Sequence, residues 1–311
     1  MRLRRWAKKI GLVILELAVV ATIASLVYNA ATAARMEPPA ELYSGPFVRV
    51  DDRLVAYRRW GSSGSPIVLV GGFVEPTGVW QAVAQRLAPT HRVFALDLPP
   101  FGYTQRKGPY TLESWIALVH DFDAHFGLRR PVIVGHSLGA AVAVGEALAH
   151  PHELGGIVLL DGDAIAAGGA PSWLPDLLVG PWFTSFYRIA TGSDWIFRRA
   201  LRDAYGPHHP ALTHAVLVPW ERPFRVDGTL GAFRAMSRYG IQGYRLGDLR
   251  RVHTRSLVVW GQHDTVDSVA AGRASARALR TRFRILAGAG HLSMLGAPDA
   301  LAGALARFAN G

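Results

Sequence analysis

Between the apolar stretch Val132 to Val134 and a helical run from Leu138 to Ala149, the chain reads Gly135-His136-Ser137-Leu138-Gly139. A strand that turns into a helix across two closely spaced glycines must reverse so tightly that side chains there would collide. The central residue is then left strained and exposed at the strand end. A glycine-rich turn with an incidental serine would satisfy the bare pattern, but the flanking strand and helix weigh against it. Ser137 is therefore a candidate nucleophile.

The wider pattern supports this placement. Phe47 to Val50 and Leu54 to Trp60, separated by Asp51-Asp52-Arg53, predict an antiparallel hairpin. Continuous apolar runs follow at Ile67 to Val70, Val93 to Leu96, Val132 to Val134 and Ile157 to Leu160, and resume at Leu257 to Trp260 and Phe283 to Leu286. Runs without polar alternation, separated by helical patterns, predict parallel strands buried on both faces. From 163 to about 247 prolines and aromatics replace this rhythm, including Pro171, Pro175, Pro181, Pro219 and Pro223. That stretch predicts a mostly helical insertion between two core strands.

A serine hydroxyl needs a base within hydrogen-bond reach. Among twelve histidines, His291 in Gly288-Ala-Gly-His-Leu292 follows the Phe283 to Leu286 strand, on the same sheet edge as Ser137. His150, His152, His208 and His209 read instead as solvated or capping residues. Asp264, in Gly261-Gln-His-Asp264, follows the Leu257 strand and is the expected partner of the imidazole. Asp161 and Asp163 end another strand and are alternative acids, while Asp267 reads as a helix N-cap. For an oxyanion, the amide of Leu138 is one expected donor and that of Phe73, in Gly71-Gly72-Phe73, the other. The bland reading of the second is an ordinary glycine turn.

Charge narrows the partners. The net charge is +11, but Arg2, Arg4, Arg5, Lys8 and Lys9 cluster before an apolar run, and the other basic residues are dispersed without a stripe that nucleic acid would need. No nucleic-acid partner is expected. The absence of cysteine excludes a disulfide framework and a thiolate metal site. Ile10 to Tyr28 is apolar except for Glu16, close to the ~20 residues that span a bilayer. Glu16 would cost about 3 kcal/mol at the centre, which eleven Leu, Ile and Val residues offset. The preceding cations keep the N-terminus cytoplasmic, so the folded part faces outward. The segment is then a membrane anchor or, if cut after Ala31-Thr32-Ala33, a secretion signal.

At this level the chain resembles the α/β-hydrolase superfamily, in particular lidded serine members similar to carboxylesterases, lipases and C–C hydrolases. The resemblance covers roughly residues 46 to 309 and rests on Asp97-Leu-Pro-Pro-Phe-Gly102, the Ser137 turn, Gly261-x-x-Asp264 and Gly290-His291. It departs at Gly71, where many relatives carry His, and at Pro100, where Gly is usual. The order Ser, Asp, His is the one that fold uses. Members with an Asp nucleophile, such as epoxide hydrolases and haloalkane dehalogenases, are disfavoured by Ser137.

The resemblance implies an α/β fold with a mostly parallel sheet flanked by helices and an inserted helical lid, to which the apolar N-terminal run adds a transmembrane helix. The expected division is an anchor or signal over 1–34, a linker over 35–45 around Glu37-Pro38-Pro39, a core over 46–162 and 248–311, and a lid over 163–247. It implies a small-molecule substrate and no cofactor or metal; it leaves the oligomeric state open. The expected activity is ester hydrolysis through Ser137, with amide or C–C hydrolysis, acyl transfer, or a non-catalytic anchored scaffold as alternatives. Trp173, Trp182, Phe183, Phe186, Tyr187, Trp195, Phe197, Trp220, Phe224 and Phe233 make the insertion aromatic. They either line an apolar pocket or pack the insertion's own core. Arg198, Arg199 and Arg202 read as a solvated helix face.

Overall fold

Nothing between Arg2 and Ala33 interrupts a helix, since the stretch holds no proline and one glycine. In the computed structural model, which describes residues 2–168 and 180–311, it forms one continuous helix, α1 (Arg2–Ala33). This exceeds the apolar run at both ends, and Lys9–Ala33 is long and apolar enough to cross a membrane. Pro171, Trp173 and Pro175 lie outside the described residues.

All the apolar runs become strands of one sheet: β1 (Phe47–Val50), β2 (Arg53–Trp60), β3 (Pro66–Val70), β4 (Arg92–Leu96), β5 (Val132–His136), β6 (Gly156–Leu160), β7 (Ser256–Gly261) and β8 (Phe283–Leu286). Their order is β1-β2-β4-β3-β5-β6-β7-β8. β1 and β2 pair antiparallel, as do β2 and β4, while β3 to β8 run parallel. Every residue of β3, β5 and β6 is buried, which is why these segments show no polar alternation.

Helices cover both faces. Among the described residues, those of seven residues or more after α1 are α2 (Gln81–Leu87), α3 (Leu112–His125), α4 (Leu138–Ala149), α5 (Pro181–Thr191), α6 (Asp194–Tyr205), α7 (His214–Glu221), α8 (Thr229–Ser237), α9 (Val269–Ala278) and α10 (Pro298–Asn310). One core layer packs α3 and α4 on the sheet around Trp115, Phe122 and Trp260; the other packs α2 and α10 around Trp80, Leu87 and Leu305. Helix α3 starts where Thr111 Oγ1 accepts the Ser114 amide at 3.3 Å. Helix α9 is capped by Ser268, whose Oγ accepts the Ala271 amide at 3.1 Å, and not by Asp267 as the sequence suggested. The neighbouring serine takes the cap one position later.

Helices α5 to α8 all fall between β6 and β7. The Glu37-Pro38-Pro39 stretch is tied to it: the Glu37 amide donates to Arg225 O at 2.9 Å, and Glu37 O accepts the Asp227 amide at 2.9 Å. Leu42 and Tyr43 are buried beside Tyr103 and Val226.

Candidate active site

Because β3 to β8 are parallel, the loops after their C-terminal ends gather along one edge. The sheet order reverses direction on either side of β3, which opens a crevice there. Ser137 sits in it between β5 and α4, with φ 50° and ψ −119°. A non-glycine residue held there stores on the order of 1–3 kcal/mol. Its amide is fixed by donating to Leu160 O at 2.9 Å. The turn works only because α4 can approach β3: a Cβ at Gly139 would lie 2.5 Å from Val70 O.

His291 follows β8 and is buried. Its Nδ1 lies 2.9 Å from Asp264 Oδ2. The other Asp264 oxygen accepts the amides of Val266 at 2.9 Å and Asp267 at 3.0 Å. A carboxylate held this way is acceptor-only, so Nδ1 carries the proton and Nε2 presents its lone pair. The alternative acids are directed elsewhere. Asp161 Oδ1 accepts the Gly261 amide at 2.6 Å, and Asp163 Oδ1 accepts the Ile165 amide at 2.9 Å. Burial pushes the Asp161 carboxyl up to about 7, against the pull of His136, Ser293 and the Gly261 amide.

The loop after β3 lies against the serine. A Cβ at Gly72 would be 2.8 Å from Ser137 Cβ and 3.3 Å from its Oγ, so only glycine lets this backbone come so close. Among the described residues, the amides of Phe73 and Leu138 donate to no protein acceptor.

Two buried residues that the motif reading passed over join these parts. His136, the unspecified position of the Gly-x-Ser-x-Gly turn, places Nδ1 2.8 Å from Glu75 Oε1 and 2.9 Å from Oε2. Its Nε2 is 2.8 Å from His291 O. Both neighbours are acceptors, so both ring nitrogens donate and His136 is an imidazolium. Burial pushes its pKa down, but the Glu75 carboxylate more than reverses this and raises it to about 9. Burial likewise pushes Glu75 up, and the imidazolium leaves it below its ordinary value. Glu75 Oε2 also accepts the Gly72 amide at 2.7 Å. One ion pair thus ties the Gly72 loop, the serine turn and the His291 backbone together. Gly71 makes room for it, since a Cβ there would press on Glu75 at 3.2 Å. That departure from the usual His was the available signal.

Phe73 and Leu138 also line an apolar cavity of about 600 Å³, with Phe183, Tyr187, Phe197 and Phe233 of the insertion. The insertion's aromatics therefore divide: these and Phe224 face the cavity, Trp220 is buried in the core, and Trp182, Phe186 and Trp195 are exposed. Arg199 and Arg202 are exposed, and Arg198 Nη2 is 3.7 Å from Asp194 Oδ2. His120, His150 and Glu153 form a group able to hold a metal ion, but it lies at the far end of α4, roughly 18 Å from Ser137 by helical rise.

A sequence profile described as the alpha/beta hydrolase fold matches residues 65–298. An uncharacterized hydrolase of Bacillus subtilis strain 168, YugF, is 25% identical over 236 residues, covering 72% of this chain and 82% of that protein. Among solved structures, a bacterial membrane phospholipase A matches with TM-score 0.68 and 22% identity, covering 100% of this chain and 99% of the other. A meta-cleavage product hydrolase from Pseudomonas fluorescens IP01 matches with TM-score 0.71 and 18% identity, covering 86% and 97%. With a sheet of this order, a strained serine turn in its crevice and a family profile spanning most of the chain, this protein belongs to the alpha/beta hydrolase fold family and is a hydrolytic enzyme.

Proposed function

We propose that the chain hydrolyses carboxylic esters with an apolar acyl group through an acyl-enzyme on Ser137. The carrying observation is the Asp264–His291 pair, held on loops after β7 and β8 at the same edge of the sheet as the strained serine. Ser137 Oγ attacks the acyl carbon while His291 Nε2 takes its proton, and Asp264 stabilises the imidazolium that forms. The oxyanion is met by the amides of Phe73 and Leu138. Collapse expels the alcohol, which takes its proton from His291. Water then repeats the sequence to release the acid, so no cofactor is needed. The cavity supports an apolar acyl or aromatic group, being walled almost wholly by aromatic and aliphatic side chains. Helices α5 to α8, within residues 163–247, serve as its lid, and α1 anchors the catalytic domain outside the cytoplasm.

The reading is tested by fluorophosphonate labelling of the native chain and of Ser137→Ala, with a series of p-nitrophenyl esters of increasing acyl length. Labelling lost in the variant and turnover that rises with acyl length are expected. An unlabelled but folded native chain would refute the acyl-enzyme. A second prediction concerns the close approach of the Gly72 loop. Gly72→Ala is expected to lower kcat about 10²-fold, the scale of one lost oxyanion donor, and to lower the thermal midpoint by a few degrees, since the added Cβ must push the loop off Ser137 at a cost of about 1–3 kcal/mol. A loss confined to KM would show that the loop only binds substrate.

A second reading, C–C hydrolysis of a keto acid, is favoured by one observation. Arg234 lines the cavity and its Nε is buried without a partner, a group suited to a substrate carboxylate. Faster turnover of a vinylogous diketo acid than of any ester would decide for it.

A further inference from the structure

Helix α5 carries no polar face toward solvent. One face meets α1: Ser185 Oγ lies 2.7 Å from Ser25 Oγ, and Arg188 Nη1 donates to Thr32 Oγ1 at 2.8 Å and to Asn29 O. Along the same seam, Trp182 Nε1 donates to Thr22 Oγ1 at 3.0 Å and Asn29 Nδ2 to Pro181 O at 2.8 Å. A second face, with Phe183, Tyr187 and Ala190, lines the cavity. The third carries Trp182, Phe186 and Ile189, which are 53%, 64% and 57% exposed. On α6, Trp195 is exposed as well, and Arg199 and Arg202 follow along the same side of the helix.

A lid facing water carries polar side chains at such positions. Here the outer stripe is as apolar as the exposed surface of α1, where Leu12, Leu17, Val20 and Val27 are all uncovered. Because α1 and α5 are packed together, the two surfaces are continuous. The seam also gives Ser25 a hydroxyl partner within an otherwise apolar span, and Thr22, whose hydroxyl donates to Ala18 O at 2.7 Å, accepts Trp182 there. The contacts run from Thr22 to Thr32, about 15 Å along α1; the part on the apolar run, Thr22 to Tyr28, is about 9 Å, comparable to the depth at which interfacial helices seat in a bilayer. Ile196, next to Trp195 in the chain, is part of the cavity wall, so the first turn of α6 carries both a cavity-lining residue and the exposed Trp195.

We propose that α5 and the first turn of α6 sit in the outer boundary of the bilayer that α1 crosses, and that the cavity takes the acyl chain of a membrane-resident lipid ester directly from it. The substrate class rests on the ester-hydrolase reading above; the seating of the lid does not. α1 is then a retained part of the lid and not a discarded signal.

The chain has no cysteine, so Phe186→Cys, Ile189→Cys and, on the exposed edge strand, Arg284→Cys each give a single labelling site. In full-length protein reconstituted into dioleoylphosphatidylcholine vesicles, a fluorophore at 186 or 189 is expected to be quenched by doxyl-labelled lipid and one at 284 not. Absence of quenching at 186 and 189 would overturn the seating. The double variant Phe186→Ser, Ile189→Ser changes neither the triad nor the cavity wall. It is expected to keep p-nitrophenyl butyrate turnover within about twofold while losing about tenfold or more of oleate release from the vesicles. Undiminished oleate release would overturn lipid uptake through this face. Failure of the native chain to hydrolyse p-nitrophenyl butyrate would instead defeat the hydrolase reading, with the quenching result unaffected.

Discussion

Ser137→Ala is expected to reduce kcat for a soluble ester by about 10⁴-fold or more while leaving the fold intact. Alanine removes the hydroxyl proposed to attack and nothing else, because the buried amide contact to Leu160 and the φ of 50° are properties of the backbone. His291→Ala should fall to the same level, and the double variant no lower, since groups acting on one proton transfer lose their contribution together. Steady-state hydrolysis of p-nitrophenyl butyrate by the three variants, with circular dichroism as the folding control, reads this out. Losses that multiply in the double variant would mean that serine and histidine act in separate steps, and the acyl-enzyme scheme would have to be abandoned.

The second large effect concerns stability. Glu75→Gln keeps the shape but leaves the buried His136 without its counter-charge. Breaking such a pair costs about 3–5 kcal/mol, which for a domain of this size corresponds to a midpoint lower by roughly 10 °C. Activity should fall as well, because Glu75 Oε2 holds the Gly72 amide beside Ser137. The pH dependence is specific. His136 has its pKa raised to about 9, so its contribution is complete below the ordinary histidine value and is lost as pH rises through about 9. Glu75 is lowered, so its contribution is present above the ordinary carboxylate value and is lost as pH falls through its depressed one. Urea unfolding of the native chain is therefore expected to show stability that declines from about pH 6.5 and levels off above about 9, the raised carboxyls of Asp97 and Asp161 adding to the fall only up to about 7. In the Gln variant that alkaline decline should disappear. A native chain whose stability is flat from neutral to alkaline pH would show that His136 is not charged.

The strands were legible because β3, β5 and β6 are enclosed on both faces, which forces continuous apolar runs. Ser137 was legible for a related reason, since a strand-to-helix reversal needs glycine at fixed positions and leaves that mark locally. Asp264 and His291 were legible as candidates from their place after strands. The structure adds the 2.9 Å contact between them. The cap of α9 was misplaced by one residue because Asp267 and Ser268 both suit a cap, and the choice between them depends on how β7 delivers the chain.

Thus the sequence by itself determined the layered α/β architecture, the serine turn, the apolar N-terminal helix and an aromatic insertion, each written in periodicities and turn residues that act over a few neighbours. Only the tertiary structure decided which groups meet across long stretches of chain. It seated the carboxylate of Glu75 on His136, divided the insertion's aromatics between cavity and surface, and docked α1 on α5 through Ser25 and Ser185. These pairings join residues far apart in the chain, so they leave no periodic trace. They arise when buried charges and hydroxyls, deprived of water, must find partners among whatever the fold brings near.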